Sequence, residues 1–126
     1  MLEIIKITEA MKDGQYGARI EEAQAVQGDT KIRVVMTPFS PLDGTEYEEI
    51  MDWIDCKGSP YSKAAYFQKA FPNVDELKDL RGELVGITVK VNETAHRIYY
   101  NVTHYREYDG PDFTPVVEED PALPFN

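Results

Sequence analysis

Hydrophobic and polar positions alternate along most of this chain, and the period changes to a helical one in a single central stretch. In GQYGARIEEAQAV, residues 14 to 26, Tyr16, Ala18 and Ile20 share one parity, which predicts a strand with one buried face. Gly28 and Asp29 mark a turn. KIRVVMT then sets Ile32, Val34 and Met36 against Lys31, Arg33 and Val35, so the two segments predict an antiparallel hairpin. Pro38, Pro41 and the Asp43-Gly44 pair predict a loop over residues 38 to 46. YEEIMDWID follows as a third strand whose buried face stays open, because Ile50, Asp52, Ile54 and Met51, Trp53, Asp55 each include one acid.

The helical stretch is GSPYSKAAYFQKAF. Ser59 is the expected N-cap, and Pro60 occupies the first helical position, where its missing N–H costs nothing. Ala64, Phe67 and Phe71 recur at helical spacing and are assigned to the core; Pro72 ends the helix. NVDELKDL predicts a further short helical turn capped by Asn73, with Leu77 and Leu80 on one side. Past Gly82, Val85, Ile87, Val89 and Val91 form the clearest strand pattern in the chain. NETAHR connects it to IYYNVTHY, where Ile98, Tyr100 and Val102 oppose Tyr99, Asn101, Thr103 and Tyr105, a second hairpin. Residues 2 to 7 fit a strand or a short helix.

Three strands, a helix and two strands form the element order of the OB-fold, a five-stranded, partly open, mostly β barrel with its helix between the third and fourth strands. Other α+β arrangements share that order. At 126 residues the chain supports one ordinary core. The expected division is an OB-fold domain over residues 1–108 and a flexible acidic tail over 109–126, the latter rich in proline and poor in periodicity.

Charge sharpens that division. The net charge is −10, but residues 109–126 hold five acids and no base, leaving 18 acids against 13 bases elsewhere. A locally positive surface is therefore compatible with the acidic total. The single Cys56 excludes an internal disulfide and suits a cytoplasmic protein; the start lacks the basic region of a signal peptide, and no apolar run approaches the ~20 residues of a membrane span. His96 and His104 lie eight positions apart with Cys56 distant, which is no metal-ligand spacing, and no nucleophile elbow or phosphate loop is present. Glu21-Glu22 and Glu48-Glu49 are adjacent and point to opposite faces of a regular strand. The expectation is a non-enzyme without cofactor or metal.

Four stretches, GQYGARIEEAQ, KIRVVMT, AAYFQKAF and LVGITVKVNETAHRIYYNVTHYRE, together resemble a family of small bacteriophage proteins similar to OB-fold single-stranded DNA-binding proteins encoded beside replication and recombination genes. The likeness spans most of residues 14–108. This chain has the short NETAHR turn where the family has a longer loop containing glycine and lysine. The ending EEDPALPFN is similar to the acidic tip of bacterial single-stranded DNA-binding proteins, with Glu118, Glu119, Asp120, Leu123, Pro124 and Phe125 in order. Pro121-Ala122 is inserted and Asn126 follows the phenylalanine. The resemblance implies that these six residues recruit replication and recombination proteins.

A single strand needs aromatic faces for its bases and cations for its phosphates. Expected to supply them are Lys31 and Arg33 on the second strand, Trp53 with neighbouring Lys57, Lys90 on the fourth strand, Tyr99 and Tyr105 on the fifth, and Arg97 and Arg106 beside the last hairpin. Each also has a plain structural use: Trp53 as core, the tyrosines as strand formers, Lys31 and Arg33 as guards of an edge. A homo-oligomer, dimer or higher, is expected by analogy. The rival readings are an acidic protein-interaction module that binds a host factor, with or without mimicry of DNA charge, and a virion component.

Overall fold

One long strand organises the sheet. The computed structural model describes residues 10–28, 30–56 and 62–113. β1 (Gly14–Val26) pairs through its first half with β4 (Leu84–Glu93) and through Gly17–Val26 with β2 (Lys31–Phe39), all antiparallel. β3 (Ile50–Asp55) pairs with β2, and β5 (Ile98–Glu107) with β4, giving the order β3-β2-β1-β4-β5. The helix α1 (Lys63–Lys69) and a 3-10 turn at Leu77–Leu80 lie between β3 and β4. This is the OB-fold arrangement, a nearly closed barrel.

The inward parities meet as the alternation requires. Ala18, Ile20, Val34, Met36, Ile54, Val85, Ile87 and Val89 are buried, with Phe67, Phe71 and Leu80 covering one end of the barrel. Each large apolar side chain so placed contributes roughly 1.5–3 kcal/mol.

The open face of the third strand is settled by its acid. Ile50 and Ile54 point inward, and Asp52 shares their side while Met51 and Trp53 are exposed. Asp52 is tolerated there because it closes the seam between the two edge strands. Tyr105 donates its hydroxyl to Asp52 Oδ2 at 2.6 Å, and Lys63 Nζ donates to Asp52 Oδ1 at 3.0 Å and to the Val102 carbonyl at 3.2 Å. Burial first, and then the Asp52 charge, push the Tyr105 phenol far above its ordinary range, so it remains a neutral donor.

Two bulges change the parity read from the sequence. One falls between Ile20 and Glu22 in β1, so Ala23 returns to the core side and both Glu21 and Glu22 face outward, contrary to the opposite faces expected of adjacent acids. The other lies opposite Thr88/Val89 in β5. It turns Tyr105 inward to 0% exposure, although simple alternation from Tyr99 sets it outside.

Three boundaries also differ. β2 continues through Pro38, whose carbonyl accepts from the Tyr47 N–H at 2.8 Å on the side away from β1, where its own missing N–H breaks no rung of the β1–β2 ladder. The N-cap of α1 is Ser62, whose hydroxyl accepts from the Ala65 N–H at 3.2 Å; Ser59 and Pro60 lie outside the described residues. The 3-10 turn follows Glu76 without a side-chain cap, so Asn73 does not cap it. The possible element at residues 2 to 7 lies outside the described residues, as does the tail from residue 114.

Candidate nucleic-acid interface

The outer surface of the barrel carries two groups of the expected residues, built differently. The first is on β1, β2 and β3. Cross-strand register sets Gln24, Arg33 and Trp53 in one row, flanked by Val26, Lys31 and Asp55 on one side and Glu22, Val35 and Met51 on the other. Trp53 is 47% exposed, which makes it a ring available to a base. Of the cations beside it, Arg33 is already engaged. Arg33 Nη1 lies 3.5 Å from Glu22 Oε2 and its Nε donates to the Met51 sulfur, while Lys31 stands opposite Asp55. Further along the same face Arg19 is held by Glu21 and Glu46 at 3.1 and 3.0 Å; the Glu46 hydrogen bond is the main reason its guanidinium pKa rises further. Glu21 also accepts from Thr37 Oγ1 at 2.6 Å.

The second group is on the β4–β5 hairpin. The outward positions are Gly86, Thr88, Lys90 and Asn92 on β4 and Tyr99, Asn101, Thr103, His104 and Arg106 on β5, none of them acidic. The hairpin turn is held by Thr94, whose N–H and hydroxyl both donate to the Arg97 carbonyl. That turn sets the Arg97 guanidinium 5.3 Å from the centroid of the exposed Tyr99 ring. Arg106 lies flat over Gly86, where a Cβ would meet its side chain, and points Nη1 to Thr88 Oγ1 at 3.4 Å. No ion pair ties Lys90, Arg97 or Arg106 to another of the described residues.

A segment missed by the sequence pattern runs between the groups. Beyond β5, Tyr108 packs edge-on against Phe39 at 5.3 Å, and Phe113 against Phe39 at 6.1 Å. Gly17 and Gly44 leave the space: a Cβ at Gly17 would strike Phe39 and Tyr108, and one at Gly44 would strike Phe113. Tyr108 donates its hydroxyl to the Pro111 carbonyl, and desolvation, then the charges of Asp112 and Asp109, raise its pKa. Gly17 faces Gly86 across the β1–β4 ladder, whereas Arg33 lies opposite Gln24 and Lys90 next to the Gly14–Val89 rung. The Tyr108–Phe113 strap therefore crosses the outer sheet between the two groups. The glycines were visible in the sequence, but nothing marked them as the floor of a crossing.

Of the expected contacts, Lys31, Arg33 and Trp53 are brought together, and Lys90, Arg97 and Tyr99 form the other group, with Arg106 at the far end of the same hairpin opposite Gly86. Tyr105 is a correction: buried behind the bulge and bonded to Asp52, it has no face to offer a base. Lys57 and the tail residues Glu118, Glu119, Asp120, Leu123, Pro124 and Phe125 lie outside the described residues. A groove of about 390 Å³ between α1 and the 3-10 turn is lined by Ile32, Phe67, Phe71 and Leu77, and Asp75 and Glu76 give its wall the wrong sign for phosphate. Among the described residues no cluster of histidine, cysteine or acids is arranged to hold a metal ion, and no helix is long and apolar enough to cross a membrane. No protein-family model matches this chain, and no curated protein matches it significantly.

Proposed function

We propose that this chain binds and protects single-stranded DNA along the outer surface of its barrel during phage DNA replication and recombination, and recruits replication and recombination proteins through its acidic C-terminal tip. The observation that carries the reading is the acid-free outward row of β4 and β5, where Arg97 lies over the exposed Tyr99, Lys90 stands on the adjacent strand opposite Asn101, and Arg106 lies further along the row opposite Gly86. Cations without carboxylate partners, set next to an open aromatic ring, are what a flexible polyanion with stacking bases requires. Trp53 supplies a second stacking ring on the β2–β3 face, where OB-folds commonly take oligonucleotides. The sequence resemblance to phage single-stranded DNA-binding proteins supports the same reading. A dimer or higher oligomer belongs to it, because one domain of this size offers a strand only a short footprint.

The tail beyond the strap, with Glu118, Glu119 and Asp120, competes with DNA for the cationic row at low salt. Leu123, Pro124 and Phe125 are its apolar anchors for partners. Because Tyr108 and Phe113 pack on Phe39, the informative truncation begins at residue 114 and leaves the strap in place.

Titration of fluorescently labelled oligo-dT against the full chain tests the proposal. Anisotropy should rise at low salt, Trp53 emission should be quenched, and log affinity should fall with log salt at about −0.7 per phosphate contact. Truncation after Phe113 should tighten low-salt binding, and Phe125→Ala should abolish partner recruitment without changing DNA affinity. Absence of binding to any nucleic acid at low salt would leave the acidic protein-interaction module as the better account.

A further inference from the structure

We infer that the surface where α1 packs on β5 extends the strand-binding path, with Lys69 and the Tyr66–His104 pair taking single-stranded DNA past the hairpin and onto the helix. The inference rests on the single-strand reading above and adds residues that the β2–β3 face and the β4–β5 hairpin do not include.

The bulge that buries Tyr105 also creates this surface. With Thr103 unpaired in the register, His104 falls opposite Thr88 on the outward side. There its ring meets Tyr66 of α1, with centroids 4.4 Å apart and planes tilted by 55°. Lys69, in the last turn of the helix, sets its Nζ 5.5 Å from the centre of the same tyrosine ring. The result repeats on α1 the hairpin motif of a cation held over a tyrosine, beside His104 in the second half of β5.

Charge decides what this surface fits. The chain holds no acid from Ser62 to Val74, the span of α1 and its exit, and none from Thr94 to Arg106, the span of the hairpin turn and most of β5. In a chain of net charge −10, two long acid-free segments packed against each other form a local cationic face. Lys63, the other cation of α1, is committed to Asp52 in the barrel seam, which leaves Lys69 to face solvent. The nearest acids in sequence, Asp75 and Glu76, lie past Pro72 on the wall of the groove behind the helix. A phosphate chain following Arg97, Tyr99 and His104 along β5 reaches Lys69 without meeting a carboxylate at an outward position of β5 or on α1.

The decisive comparison is Lys69→Glu against Lys78→Glu in the full chain, read by labelled oligo-dT across a salt series. Both substitutions change the net charge equally, and both side chains are exposed; Lys78 is paired with Glu76 at 3.1 Å beside the 3-10 turn. Lys69→Glu should weaken low-salt binding several-fold and lower the magnitude of the salt slope by about 0.7, the loss of one phosphate contact. Lys78→Glu should leave the slope unchanged. Equal effects of the two substitutions would overturn the α1 extension while leaving the hairpin reading intact. Failure of the unsubstituted chain to bind any single strand would overturn both.

Discussion

The two outer faces of this barrel use the same residue types and reach opposite electrostatic results. On β1–β2–β3, Arg33 is bridged to Glu22, Lys31 stands opposite Asp55, and Arg19 is shared by Glu21 and Glu46. On β4–β5, Arg97 lies over Tyr99 and Arg106 over Gly86, with no acid at an outward position. An arginine already paired with a carboxylate gains little from a phosphate, since the old partner must be given up and left unpaired. An arginine resting on a ring keeps its charge available. Counting cations would rank the two faces alike; following their partners separates them into a neutral stacking surface and a cationic one.

Substitutions can break or sharpen that contrast. Both faces hang on the barrel seam, so the largest effect is expected from Tyr105→Ala. It removes a fully buried aromatic ring and leaves Asp52 without one of its donors, at a cost of about 3–5 kcal/mol in urea unfolding. A change below 1 kcal/mol would mean that the seam does not hold the barrel shut.

Within the folded protein, Tyr99→Ala should cost ~1–3 kcal/mol of oligo-dT affinity and also flatten the salt dependence, because Arg97 loses the ring that positions it. Trp53→Ala should lose stacking energy with an unchanged salt slope. Equal slopes for the two variants would erase the distinction between the faces. Gly17→Ala addresses the strap that separates them. Its Cβ would collide with Phe39 and Tyr108, so a destabilisation of about 1–3 kcal/mol is expected, together with faster proteolysis after Tyr108. The smallest effect is Glu22→Gln, which releases Arg33 from its ion pair and should steepen the salt slope by no more than about 0.7.

How far the sequence could be read follows from where strand alternation is regular. Val34 and Met36 and Val85, Ile87 and Val89 are buried and Ile32 is half-buried against them, as their parity requires, because no bulge interrupts β2 or the first part of β4. The five-strand order with its helix was legible for the same reason. Tyr105 was misplaced because a single extra residue in β5 reverses every side chain after it, and no residue type announces such a bulge. Asp52 left its strand undecided because an acid reads as a solvent position, and only the distant Tyr105 and Lys63 make it an interior one. Lys31 and Arg33 share the outward parity read from β2, whereas the side of Trp53 stayed open with that of Asp52. The ion pair of Arg33 with Glu22 was not visible, since it depends on the register of β1 against β2 across a bulge. The Tyr66–His104 pair was hidden by the same bulge, and Tyr66 lies off the apolar helical stripe, next to Phe67.

The contrast between the faces is tested most directly by one paired salt titration. Arg97→Gln and Arg33→Gln remove the same charge from opposite faces, and each is titrated with labelled oligo-dT from low to moderate salt. The β4–β5 variant is expected to lose about 0.7 from the magnitude of the slope, one phosphate contact, while the β2 variant stays within error of the unsubstituted chain. An equal loss in both variants, or the larger loss in the β2 variant, would contradict it.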